Sequence, residues 1–236
     1  MAALNMSRTT TALDDDAGAL EAFAHRLPGV TSAAELERVL CECIGVDVCV
    51  PGHDAHKRAL GGLRLDPTHL AQFLWASRGV LAGARTFLHI GTNHGHSFFA
   101  ITEFLRQHVS PDVDAHTVDE HNYVLTDVLP FVRPRRILHP SADLAGRHYD
   151  VVFIESGSPA DYRNVGQFAG VCAWHRPTPQ PGPQPTTPTP KVARQGVAVG
   201  AGHVVHTTFG DITVLVDAQK MSAPSVHAVT DAPSHA

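Results

Sequence analysis

Long apolar runs are missing from this sequence of 236 residues. None approaches the roughly 18 residues needed to cross a bilayer as a helix, so no membrane partner is expected. The N-terminus also lacks a basic segment followed by an apolar core, so no secretory signal is read there. Cysteine is scarce: of four, Cys41, Cys43 and Cys49 crowd into "CECIGVDVC" and Cys172 stands alone. That is not the framework of a secreted disulfide domain, and a reducing, cytoplasmic location is expected. A positive charge excess is absent as well. Lys and Arg number 18 against 23 Asp and Glu, a formal net charge of −5, which argues against a partner bound through nucleic-acid phosphates. The run Arg133-Pro134-Arg135-Arg136 is a local exception, read as a solvated loop. Internal repeats are absent too.

What is present is ordinary for one medium domain: 43% hydrophobic and 17% charged residues, enough to bury a substantial core. The 17 histidines make the net charge swing as pH falls toward about 6. Residues 1–16 read as a disordered start that ends in three aspartates. A helical region over 17–84 follows. In "TSAAELERVLCECIG", Ser32 and Glu35 have capping-box spacing, and Leu36, Val39, Leu40 and Ile44 recur with helical period. In "DPTHLAQFLWASRG", Asp66 is the expected N-cap, Pro67 the first helical residue and Gly79 the stop.

From Arg85 the pattern becomes an alternation of strands and helices. Short strands are expected in "TFLHIG", "DAHTV", "RILH", "YDVVFIES" and "AGVCAW". "HSFFAITEFLRQH", "NYVLTDVLPFV" and "ADYRNVGQF" read as the intervening helices. Val151–Ile154 is apolar without alternation, as a strand buried on both faces should be. The series predicts an α/β fold, a doubly wound and mainly parallel Rossmann-like sheet over residues 85–220. "GHVVHTTFGDITVLVD" adds a C-terminal antiparallel hairpin turning at Gly210-Asp211. Between them, "RPTPQPGPQPTTPTPK" holds seven of the chain's 17 prolines. This insertion (176–191) reads as an extended solvated loop, with a lid or docking segment as the alternative. Residues 221–236 read as a disordered tail.

In such a sheet, ligands sit at the carboxyl ends of the strands, at the switch point. The first strand of the series ends at Gly91, and the turn Gly91-Thr92-Asn93-His94-Gly95 lies there. Gly91 permits a sharp turn, Gly95 a close approach, and Asn93 tolerates a left-handed backbone. The pattern is not the G-x-G-x-x-G of dinucleotide binders. Asp119 ends the second strand, 24 residues beyond Gly95, where a carboxylate can accept from a ribose diol. Asp143 follows the third strand and Glu155 ends the fourth. Together these carboxylates and the glycine turn outline a nucleoside pocket.

"FLHIGTNHGHSFF", "TVDEHN", "YDVVFIESGSPADYRNV" and the closing hairpin resemble the class I S-adenosylmethionine-dependent methyltransferases over roughly Arg85 to Asp217. The resemblance implies S-adenosylmethionine as cofactor. Gly91, Asn93 and Gly95 would wrap its methionine part, Asp119 would hold the ribose hydroxyls, and Asp143 would sit by the adenine amino group. His89 replaces the family's acidic residue two before the first glycine and is retained as a cofactor contact, as is Glu155. Glu155-Ser156-Gly157-Ser158 and His175-Arg176 replace further motif residues of the family. The helical region fits as the variable cap of such enzymes, and a homo-oligomer stays open.

Sulfonium methyl transfer is an in-line displacement that alignment alone accelerates. An alcohol or phenol acceptor also needs a base or a metal. His175 is the first candidate for the base and Asp161 the second. No metal is expected. His94 and His96 read as rim or surface histidines, and Cys41, Cys43, Cys49, His53 and His56 lack a common zinc spacing. The expected function is methyl transfer to a small-molecule acceptor, most simply at oxygen. The alternative is a catalytically degenerate binding or scaffolding protein of the same fold. A nicotinamide-dependent oxidoreductase is the third reading, excluded if the last strand lies antiparallel between its neighbours.

Overall fold

The computed structural model describes residues 9–58, 61–119, 135–138, 147–155, 169–175 and 203–217. Helix α1 spans Thr9–Arg26 and so begins inside the segment expected to be disordered. Ala12, Leu13 and Ala17 are strong helix formers, and they extend the helix upstream of the buried anchors Leu20 and Phe23. A 3-10 turn at Leu27–Gly29 leads to α2, Ala33–Val39. Ser32 caps α2 as expected: its Oγ accepts the Glu35 N–H at 3.2 Å. The Glu35 carboxylate turns back to accept the N–H of Thr31 at 2.7 Å. A π-helical turn, Leu40–Ile44, then buries both Cys41 and Cys43.

Strands β1 (Val46–Asp47) and β2 (Lys57–Arg58) form a small parallel pair. Helix α3, Pro67–Leu81, starts where expected, with Asp66 Oδ1 accepting the Thr68 N–H at 2.8 Å. It runs through Gly79, the expected stop, because the left-handed residue that ends it is Gly83, at φ 78°.

The main sheet contains β3 (Thr86–Ile90), β4 (Asp114–Val118), β5 (Arg135–Leu138), β6 (Tyr149–Ile154), β7 (Ala169–His175), β8 (His203–Phe209) and β9 (Ile212–Asp217). Helix α4, His96–His108, crosses from β3 to β4. The strand order is β5-β4-β3-β6-β7-β9-β8. All neighbouring pairs are parallel except those of β9, which lies antiparallel between β7 and β8. The expected mainly parallel sheet with an antiparallel hairpin is therefore present. β5 takes in Arg135 and Arg136, so that part of the arginine run is strand rather than loop. The helices expected in "NYVLTDVLPFV" and "ADYRNVGQF", the proline-rich insertion and the C-terminal tail lie outside the described residues.

Alternation along each strand sorts side chains to two faces. Phe87, Ala115, Val151, Phe153, Val171, Ala173, Val214 and Val216 share one core with Leu20, Phe23, Leu36, Leu70, Phe73 and Phe98. The N-terminal helices thus belong to the same hydrophobic core as the sheet. Leu88, Ile90, Val152, Ile154, Cys172, Trp174 and Leu215 form a second cluster on the opposite face. By the same alternation His89, Glu155 and His175 fall on the face that carries α3 and α4. The order of the chain, α3 into β3, puts the N-terminus of α3 at the carboxyl edge of the sheet.

Candidate functional site

The glycine turn has the backbone its residues demand. Gly91 (φ 83°), Asn93 (φ 49°) and Gly95 (φ 92°) are all left-handed, and Asn93 is the only non-glycine so placed among the described residues. The turn is tied to the neighbouring strands. The Gly91 N–H donates to Val118 O at 2.9 Å, and the Glu155 N–H donates to Ile90 O at 2.9 Å. The Thr92 hydroxyl meets that of Thr117 and donates to Val118 O at 3.2 Å. The Asn93 N–H donates to Asp119 Oδ2 at 2.8 Å, which joins the expected ribose carboxylate directly to the turn. The Asn93 side chain donates to Gly91 O at 3.0 Å and accepts from Arg64 Nη1 at 2.8 Å. Arg64 precedes α3, so the helical region reaches the turn. Gly95 serves as the N-cap of α4 with no side-chain bond, leaving the positive end of that helix at the site.

His89 is completely buried, its ring stacked on Phe153 at 5.6 Å and tilted against Phe98 at 5.9 Å. Its Nε2 lies 3.2 Å from Glu155 Oε2, close enough for an ion pair. The alignment is not that of a hydrogen bond, and neither ring nitrogen of His89 nor Glu155 Oε2 has a hydrogen-bond partner among the described residues. Unpaired buried polar atoms of this kind cost free energy and call for a polar ligand or water.

His96, the first residue of α4, is also buried, and burial together with Arg58 and His94 pulls its imidazole down to about 4. Gly61 (φ 76°) packs against its ring, where a Cβ would lie 2.5 Å from Cε1. His96 is therefore a neutral buried residue, not a surface histidine, and neither of its ring nitrogens is partnered among the described residues.

Further along the carboxyl edge, His175 ends β7 with its side chain 6% exposed. Its Nε2 lies 3.1 Å from Asp211 Oδ2, and His69 Nδ1 lies 2.8 Å from Asp211 Oδ1. Sequence reasoning selected His175 but missed Asp211 and His69. The signals were the register of the hairpin, which sets Ile212 opposite His175, and the position of His69 in the first turn of α3.

Gly91, Asn93, Gly95 and Asp119 thus form one connected turn, while His89 and Glu155 sit beside it as a buried pair. Asp143 and Asp161 lie outside the described residues. Among the described residues, no group of three or more His, Cys, Asp or Glu could hold a metal ion. In the cysteine-rich segment, burial pushes the Cys41 thiol up to about 11.

No family model matches the sequence, and no curated protein matches it. Solved structures do match. One is a proposed RNA methyltransferase from Pyrococcus horikoshii, at 13% identity and a TM-score of 0.49, covering 80% of this chain and 97% of that one. Another is an O-methyltransferase family protein from Burkholderia thailandensis, at 19% identity and a TM-score of 0.36, covering 64% and 57%. A third is a proposed caffeoyl-CoA O-methyltransferase from Staphylococcus aureus, at 18% identity and a TM-score of 0.39, covering 48% and 58%. The chain thus spans little more than half of the last two. None of the three reaches a TM-score of 0.5, and the account of the fold rests on the strand order itself.

Proposed function

We propose that this chain, whose fold is that of the class I S-adenosylmethionine-dependent methyltransferases, transfers a methyl group to an oxygen of a small molecule. One observation carries the reading. A strand antiparallel between its neighbours closes the sheet, and at the sheet's carboxyl edge a left-handed glycine turn holds Asp119 through the Asn93 N–H. A dinucleotide-binding sheet ends instead in a further parallel strand, which argues against a nicotinamide cofactor. The net charge of −5 favours a small acceptor over a nucleic acid.

The residues present fit S-adenosylmethionine. Asp119 offers a carboxylate for the ribose hydroxyls, and the N-terminus of α4 faces the place for the methionine carboxylate. The unpartnered atoms of His89 and Glu155 supply polar contacts beside them. The cofactor, when bound, supplies an activated methyl on a sulfonium. The work left to the protein is to align the acceptor and remove its proton. His175 suits the second task, since its Nδ1 is buried with no hydrogen-bond partner among the described residues. Asp143 and Asp161 remain further candidates, for the adenine and as a second base.

Calorimetric titration with S-adenosylmethionine and, separately, with NAD tests the reading. Binding of the sulfonium cofactor alone is expected. Absence of both would favour the degenerate binding protein, a reading that the burial of His89 in place of an acidic residue also supports.

A further inference from the structure

We propose that Asp211, braced by His69, is a positioning residue that fixes the His175 imidazole with Nδ1 as its proton-accepting nitrogen. The inference rests on the reading of His175 as the base. A carboxylate oxygen only accepts hydrogen bonds. The nitrogens facing Asp211, Nε2 of His175 and Nδ1 of His69, are therefore both N–H donors, at 3.1 Å and 2.8 Å. In a neutral His175 ring this leaves the lone pair on Nδ1, the buried atom without a partner among the described residues. One carboxylate thus sets the tautomer of His175 while its other oxygen is held by His69.

The bracing is geometric as well. Asp211 follows Gly210 in the tight turn of the hairpin, and Gly210 (φ 56°) lies so close to the His69 ring that a Cβ there would collide with it. The turn and the helix therefore pack directly on one another and hold the carboxylate between two rings. His69 stands 142 positions from Asp211 in sequence, so the helical region completes a hydrogen-bond chain that ends at the candidate base. In the reaction, the acceptor O–H bond breaks toward His175 Nδ1 while an oxygen lone pair forms the new C–O bond. A bound sulfonium cofactor would keep the carbon–sulfur electron pair and leave as a neutral thioether. The imidazolium, stabilised by Asp211, then gives its proton to water.

The test is nitrogen NMR of the histidine-labelled full chain, which reads tautomers whether or not methyl transfer is detected. Wild type should show His175 as a single Nε2–H tautomer. Asp211→Ala should convert it to a mixture, and His69→Phe should do so to a smaller extent. His69→Asn, which keeps a donor at the place of Nδ1, should restore the wild-type spectrum. With an acceptor in hand, Asp211→Ala should lower kcat by ~100-fold at unchanged acceptor KM. An Nδ1–H tautomer in wild type, or one unchanged in both Asp211→Ala and His69→Phe, overturns the proposal. If Asp211→Ala fails to fold, by circular dichroism, the two His69 variants decide alone. Tautomers that shift as expected in a protein that binds no S-adenosylmethionine would instead sink the methyl-transfer reading and leave the positioning geometry standing.

Discussion

The two ends of the carboxyl edge are built differently. The proposed cofactor side is a backbone device: Gly91, Asn93 and Gly95 adopt left-handed conformations, and Asp119, from the adjacent strand, locks the turn. The proposed acceptor side is a side-chain device, with His69, Asp211 and His175 brought together from a helix, a hairpin turn and a strand end. The first depends on residues that admit unusual φ, so it should fail abruptly when one of them is replaced. The second depends on hydrogen bonds between movable groups, so it should fail by degrees.

The largest effect is expected at Gly95. At φ 92°, a Val there is strained by its backbone conformation. Gly95→Val should weaken S-adenosylmethionine binding by ~100-fold or more in calorimetry while the protein stays folded. Unchanged affinity would remove the glycine turn from the pocket.

Next in size is a pH effect at His96. Its folded value of about 4 lies below the ordinary 6.5, so between these pH values the unfolded chain binds more protons. Stability should be unaffected by this group above pH 6.5 and fall as pH drops toward 4, by a total on the order of 3 kcal/mol. Denaturant midpoints measured across that window should lose most of this slope in His96→Asn. An unchanged slope would mean that His96 is not held neutral and buried in the folded chain.

The smallest effect separates the two devices most cleanly. Asp66 caps the helix that carries His69, and Asp66→Ala should cost about 1 kcal/mol in unfolding free energy. Fraying that first turn should lower kcat and leave cofactor affinity alone. Loss of affinity instead would show that the two sides do not work separately.

The same contrast explains what could be read from sequence. The strands from Thr86 to His175, the hairpin and α4 carry strong local patterns, and each appears as expected. The placement of the glycine turn and Asp119 at neighbouring strand ends was legible from periodicity, whereas the hydrogen bond that joins them was not. His69 and Asp211 left no local signal, since the Asp211 carboxylate joins residues 142 and 36 positions away. His96 reads as a rim residue in sequence because its burial, against Gly61 among others, is set by tertiary packing. The extension of α3 past Gly79 was missed for a similar reason: a glycine stops a helix only when it turns left-handed, as Gly83 does.

β9 also sets an order of assembly. As the chain leaves the ribosome, β7 is made well before Ile212–Asp217, the strand that pairs with it. Until those residues emerge, β7 presents an open edge that invites pairing with other chains. The docking of β9 closes that edge and delivers Asp211 to His175 in the same event. A nascent chain therefore covers the edge of β7 and gains the carboxylate partner of His175 in one event, so the two are present only in molecules that have finished building their sheet.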